Sequence, residues 1–142
     1  MNFVVTHIRW IMLLSGTLTC TMAYAAIAPR AALLSTFGET LDGPLAEIVV
    51  RNWGALITLV GAMLIYGAFS PPVRLLVLAV AGTSKLIFGI LVLSQGSRYL
   101  ASQAGVAIAI DLMWVVVFAW YWVSTRATAS SSKVRSPRTL PT

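Results

Sequence analysis

Four apolar stretches of 19, 18, 19 and 20 residues, at 10–28, 52–69, 75–93 and 104–123, dominate this chain of 142 residues. A helix that spans a bilayer needs about 20 mostly apolar residues. Each stretch meets that length, and together they take up over half of the chain. Only two charged residues, Lys85 and Asp111, fall inside them. The runs are continuous rather than alternating, so they do not fit the strands of a membrane β-barrel.

Composition agrees. Apolar residues make up 58% of the chain and charged residues 10%, against about 25% charged in soluble domains. Mean hydropathy is +0.87. The net charge of +6 invites a nucleic-acid reading. The basic residues instead lie at the edges of apolar runs and form no patch, so no nucleic-acid partner is expected.

Prolines refine the limits. Asp42-Gly43-Pro44 starts the second helix early, because proline suits the first helical turn, and Pro71-Pro72 separates the second helix from the third. The expected spans are about 10–28, 48–69, 73–93 and 104–123. The expected fold class is all-α: an integral membrane four-helix bundle with antiparallel up-down topology and both termini cytoplasmic. Residues 1–123 form the transmembrane domain. Residues 124–142, rich in Ser, Thr and Pro and carrying four basic and no acidic residues, form a disordered basic cytoplasmic tail.

Sidedness follows from Lys and Arg near the helix ends. Arg9, Arg74, Arg126, Lys133, Arg135 and Arg138 lie at one side. Arg30, Arg51 and Arg98 lie at the other, with Glu39, Asp42 and Glu47. Six against three places the first set in the cytoplasm. Trp and Tyr near the ends of the runs fit interfacial belts. The N-terminus also carries the grammar of a cleavable signal peptide, with His7 and Arg9 before an apolar run and an A-x-A pattern at Ala23-Tyr24-Ala25. The length of the run, and the weak apolar character of Ser15-Gly16-Thr17-Leu18-Thr19, favour an uncleaved first helix. An intact mass decides between them.

Charges at membrane depth cost about 2.5–3.5 kcal/mol each on insertion scales and default to a functional hypothesis. Lys85 lies eight residues before Leu93, and Asp111 seven residues after Ala104. At 1.5 Å per residue both sit about 10–12 Å below the same surface. Matched depth on consecutive helices predicts a Lys85–Asp111 ion pair. The alternatives are a snorkelling Lys85 and an Asp111 that keeps its proton. Such a pair either locks two helices together or forms a polar site, proton relay or ligand counter-ion. Arg51 and Asn52, at the external end of the second helix, are candidates to join it, although Arg51 also stands i, i+4 from Glu47 and pairs with it by default. Trp114 lies one turn from Asp111. Gly54, Thr58, Gly61 and Ala62 on the second helix, and Gly82, Lys85 and Gly89 on the third, mark faces for close helix packing.

Other chemistry lacks its residues. His7 is the only histidine and Cys20 the only cysteine, so no zinc set and no internal disulfide can be assembled. No G-x-S-x-G occurs, and Gly82-Thr83-Ser84-Lys85 lacks the spacing of a phosphate loop. No cofactor, metal or catalytic residue is expected.

Arg51-Asn52-Trp53-Gly54, Gly61 and Tyr66-Gly67, followed by a tight turn, a third helix with glycine and lysine, and a fourth bearing Asp111, resemble small four-helix bacterial membrane proteins of the DoxX-like kind over residues 51–123. The resemblance implies a four-helix inner-membrane bundle and an association with redox or oxidative-stress complexes. It carries over no catalytic residue, and a single cysteine departs from any thiol-redox role. The expected function is that of a non-enzymatic accessory or structural component of the bacterial cytoplasmic (inner) membrane. Its expected partners are membrane lipids, with anionic headgroups at the tail, and a homo-oligomer or larger membrane complex. One alternative is a small oligomeric transporter or channel with Lys85 and Asp111 as its intramembrane polar site. Another is a membrane enzyme acting on a lipid or quinone, with Asp111 as acid/base and Lys85 or Arg51 as anion stabiliser.

Overall fold

A computed structural model describes residues 3–134, and all regular structure among them is helical. Six α-helices follow in order: α1 (Phe3–Cys20), α2 (Ala23–Ile27), α3 (Pro29–Phe37), α4 (Pro44–Phe69), α5 (Arg74–Leu93) and α6 (Gln103–Val134). Four segments are long and apolar enough to cross a membrane: Phe3–Ile27, Pro44–Phe69, Pro71–Leu93 and Gln103–Ala127. Their outer faces are apolar: Leu14, Leu59 and Val116 midway along the first, second and fourth, and Ile90 toward the end of the third, are each at least 60% exposed. Such continuous apolar surface suits lipid rather than water, and the chain reads as a multi-pass membrane protein.

Three features differ from the sequence expectation. The first span starts at Phe3, not at residue 10, and it is broken. Between α1 and α2 the amides of Thr21 and Met22 bond three residues back, to Leu18 and Thr19. The Thr19 hydroxyl donates to the Ser15 carbonyl at 2.8 Å and the Thr21 hydroxyl to the Leu18 carbonyl at 2.7 Å. Hydroxyls that bond backward to the main chain bend helices. Second, the connection after the first span holds a helix of its own. Pro29 opens α3 at its first turn, and Gly38, at φ 75°, closes it with its amide on the Leu34 carbonyl. That left-handed position favours glycine. Third, α6 continues to Val134, so the boundary expected at 123/124 is not a helix end, and the first part of the expected tail, with Lys133, is helical. Arg135, Arg138 and the rest of 135–142 lie outside the described residues.

The turn between α4 and α5 is as tight as Pro71-Pro72 requires. A 3-10 turn, Pro71–Val73, joins them. Arg74 folds back and donates from Nε to the Gly67 carbonyl at 3.2 Å and from Nη2 to the Ala68 carbonyl at 3.0 Å. Those carbonyls lack helical partners at the end of α4.

Two apolar clusters fill the interior. The larger takes Ile8 and Met12 from α1, Leu64 and Ala68 from α4, Val77, Leu78 and Ala81 from α5, and Trp114, Phe118 and Tyr121 from α6. The smaller joins Val92 of α5 to Ala104 and Ile108 of α6, with Phe37, Phe88 and Tyr99 against them. On α5 and on α6 the stretch between the two clusters carries the intramembrane charge.

Small residues let the main chains approach. A Cβ on Gly16 would lie 2.8 Å from the Gly61 carbonyl oxygen, and one on Gly54 would lie 2.6 Å from the Ala26 nitrogen. The Gly54–Thr58–Gly61 face of α4 thus packs within the chain, against α1 and α2, while Ala62 is exposed. Gly82 and Gly89 face Phe118 and Ile108 of α6 at ordinary contact distance.

Candidate functional site

Lys85 projects from the face of α5 that Gly82 and Gly89 hold against α6. Its ammonium forms an ion pair with Asp111 Oδ1. The two side chains are 10% and 20% exposed. Buried charges need a partner, because desolvating an unpaired one costs several kcal/mol. A third residue joins from α1. Lys85 Nζ donates to Thr19 Oγ1 at 3.4 Å. The Thr19 hydroxyl spends its own hydrogen on the Ser15 carbonyl, which leaves its oxygen as the acceptor toward Lys85.

These three residues stand at the edge of a cavity of about 450 Å³. Its walls are mostly apolar, with Ile57 and Val60 from α4, Phe88 from α5, and Val106 and Ile110 from α6. Thr36, Ser84 and Gln103 add polar atoms. Thr21 and Met22, where the first span breaks, also line it. Irregular backbone at membrane depth is tolerated where it is buried in protein or lines a cavity, and this break lines one. A volume of 300–1,000 Å³ with apolar walls and few polar groups is typical of small-molecule sites.

One end of the cavity is covered. Thr36 of α3 and Trp53 of α4 line it. Phe37 packs on Trp53 with ring centroids 6.2 Å apart, and edge-on against Tyr99 at 5.5 Å. Beyond these rings Arg98 donates to Glu39 Oε1 from Nε at 3.0 Å and from Nη2 at 2.6 Å. The Tyr99 hydroxyl donates to Glu39 Oε2 at 3.4 Å. The Glu39 carboxylate, first by hydrogen bonding and then by charge, raises the Arg98 guanidinium above its ordinary value. A covering helix, an aromatic trio and an exposed ion pair thus tie the α3 segment to the segment before α6.

Of the four residues singled out from sequence, two meet at this site. Arg51 is committed elsewhere. Its Nη1 donates to the carbonyls of Ala26 at 2.7 Å and Ile27 at 3.2 Å, and its Nη2 to Glu47 Oε1 at 2.9 Å. It caps the end of α2. Asn52 is exposed, and neither Arg51 nor Asn52 lines the cavity. Trp114, one turn from Asp111, belongs to the larger apolar cluster and stacks on Phe118 at 6.3 Å. Its Nε1, like Ser15 Oγ, is buried without a hydrogen-bond partner. Sequence reasoning missed Thr19. The signal was the pair Ser15 and Thr19, one turn apart in the hydroxyl-bearing stretch of the first run.

Chemically the site joins a donor and an acceptor in apolar surroundings. Among the described residues no three His, Cys, Asp or Glu side chains converge as metal ligands would. No family model, curated protein or solved structure matches the chain, so the DoxX-like resemblance of residues 51–123 gains no support from these comparisons.

Proposed function

We propose that this protein is a non-enzymatic, multi-pass component of the bacterial cytoplasmic membrane that binds a small amphipathic molecule in the cavity beside Lys85 and Asp111. The observation that carries the reading is the position of the ion pair. It borders an apolar cavity of about 450 Å³ rather than a sealed helix contact. A pair that only locked two helices would be covered by side chains, as the apolar clusters on either side of it are. The apolar walls take the body of the ligand and the pair takes its polar end.

The helices run antiparallel in this reading. Met12 against Gly67, Gly16 against Gly61 and Cys20 against Thr58 ascend in one helix and descend in the other, which supports that arrangement. Arg9 lies over the Phe69 ring at 4.6 Å and Arg126 over the Trp122 ring at 4.9 Å, on the side where the sequence carries no acidic residue. Glu39 and Glu47 pair with Arg98 and Arg51 on the other. That asymmetry supports cytoplasmic termini under the positive-inside rule. The cavity then opens in the outer half of the membrane, and the C-terminal basic residues meet anionic headgroups.

Trp53 lines the cavity and reports on its contents. In lipid nanodiscs, an ω-bromoalkyl amphiphile is expected to quench Trp53 fluorescence saturably, isolated by subtracting the Trp53→Phe variant. Filling the cavity with Ala107→Phe is expected to abolish the saturable part. Quenching that rises linearly with membrane content and ignores Ala107→Phe overturns the proposal.

A second reading, transport of the same molecule, is favoured by the break at Thr21-Met22. Discontinuous helices border the substrate sites of many transporters. It predicts that Asp111→Asn stops flux while the protein still inserts, and unchanged flux removes Asp111 as a coupling site.

A further inference from the structure

The hydrogen bonds around the ion pair restrict the ligand that the proposed site accepts, an inference that rests on the binding reading above. An ammonium has three hydrogens and no acceptor. Lys85 spends one on Asp111 Oδ1 and one on Thr19 Oγ1, which leaves one. A carboxylate offers two oxygens. Asp111 Oδ1 is taken by Lys85, and among the described residues nothing hydrogen-bonds to Oδ2. Both residues line the cavity. The site therefore offers one open donor and one open acceptor side by side, with a net charge of zero.

We infer that the ligand is an uncharged amphiphile whose polar end is a hydroxyl, a long-chain alcohol or a monoglyceride being the chemical class. One hydroxyl oxygen accepts from Lys85 while its hydrogen goes to Asp111 Oδ2, so a single group fills both openings. A ketone or ether fills only the donor and leaves the carboxylate oxygen unmet in an apolar setting. Leaving a buried polar group unpaired costs more than making the bond gains. A carboxylate or ammonium head fits worse. Each brings a net charge into a site whose own charges already cancel, and must either break the pair or stay uncompensated. The apolar walls then hold the alkyl chain, which points away from the pair toward Trp53 and the covering helix α3.

The test compares four ω-bromoalkyl probes of one chain length: the alcohol, its methyl ether, the carboxylate and the primary ammonium. Trp53 quenching in nanodiscs is the readout, with Trp53→Phe subtracted. The alcohol is expected to bind at least about ten-fold tighter than the other three, the scale of one charge-assisted hydrogen bond. The double variant Lys85→Met/Asp111→Leu, which leaves no lone charge, is expected to level the four affinities. A methyl ether as tight as the alcohol, or a carboxylate or ammonium that binds best, overturns the hydroxyl assignment and leaves the binding reading in place. Absence of saturable quenching by all four overturns the binding reading itself.

Discussion

Gly16 and Gly61 touch through their main chains: a Cβ added to either would lie 2.8 Å from the other's carbonyl oxygen. One on Gly61 would also lie 2.7 Å from the Cys20 sulfur. The close approach of α1 and α4 rests on this contact, and it brings Thr19 within reach of Lys85. Gly61→Ala forces the helices apart and is expected to lose about 1–3 kcal/mol, the usual cost of overpacking. Gly82→Ala is the control, since its Cβ would meet nothing nearer than 3.9 Å. Thermal unfolding in mild detergent should separate the two clearly. Equal melting temperatures would refute the close approach at Gly61.

Arg51 ties the end of α2 to α4 through two hydrogen bonds, to the Ala26 and Ile27 carbonyls, and a third holds its guanidinium to Glu47 on its own helix. Arg51→Lys keeps the charge but not the planar fork that reaches both partners at once. Hydrogen exchange is expected to speed up several-fold at the Ala25 to Ala28 amides in Arg51→Lys and Arg51→Ala alike, with the centre of α5 unchanged. Protection that persists in both variants would show that the cap is idle.

Glu39 and Arg98 are well exposed, and exposed pairs contribute about 0–1 kcal/mol. Their role is local closure rather than global stability. Glu39→Arg sets two like charges together, which should leave unfolding within about 1 kcal/mol of the native protein. It is expected to raise several-fold the rate at which a small maleimide labels Ser84→Cys in a Cys20→Ala background, because Ser84 lines the covered cavity. An unchanged labelling rate would mean that the α3 segment does not limit entry.

The parts of this protein legible in its sequence are those governed by solvent. Hydropathy and length locate four spans, since lipid tolerates a helix only when most side chains are apolar. Lys85 and Asp111 stand out because isolated charges are so costly in that medium, and equal helical rise puts them level. Arg51 was harder to place. Its i, i+4 relation to Glu47 was visible, but the carbonyls of Ala26 and Ile27 become partners only through the packing of α2 on α4. Thr19 entered the site for the same reason. The break at Thr21-Met22 left only a trace, the run of small and hydroxyl residues from Ser15 to Thr19, because hydropathy does not register hydrogen bonds that bend a helix. The α3 segment was hidden by its low hydropathy, although Pro29 and Gly38 mark its two ends.

The ion pair itself gives the most direct test. Lys85→Met and Asp111→Leu each leave one buried charge without its partner and are expected to lose about 3 kcal/mol or more of stability, whereas the double variant, in which no charge remains, is expected to recover most of that loss. A double-mutant cycle by equilibrium unfolding in mixed micelles measures the coupling. Strong coupling with recovery in the double variant is the result predicted for Lys85 and Asp111 acting as one unit at membrane depth. Losses that simply add would contradict it.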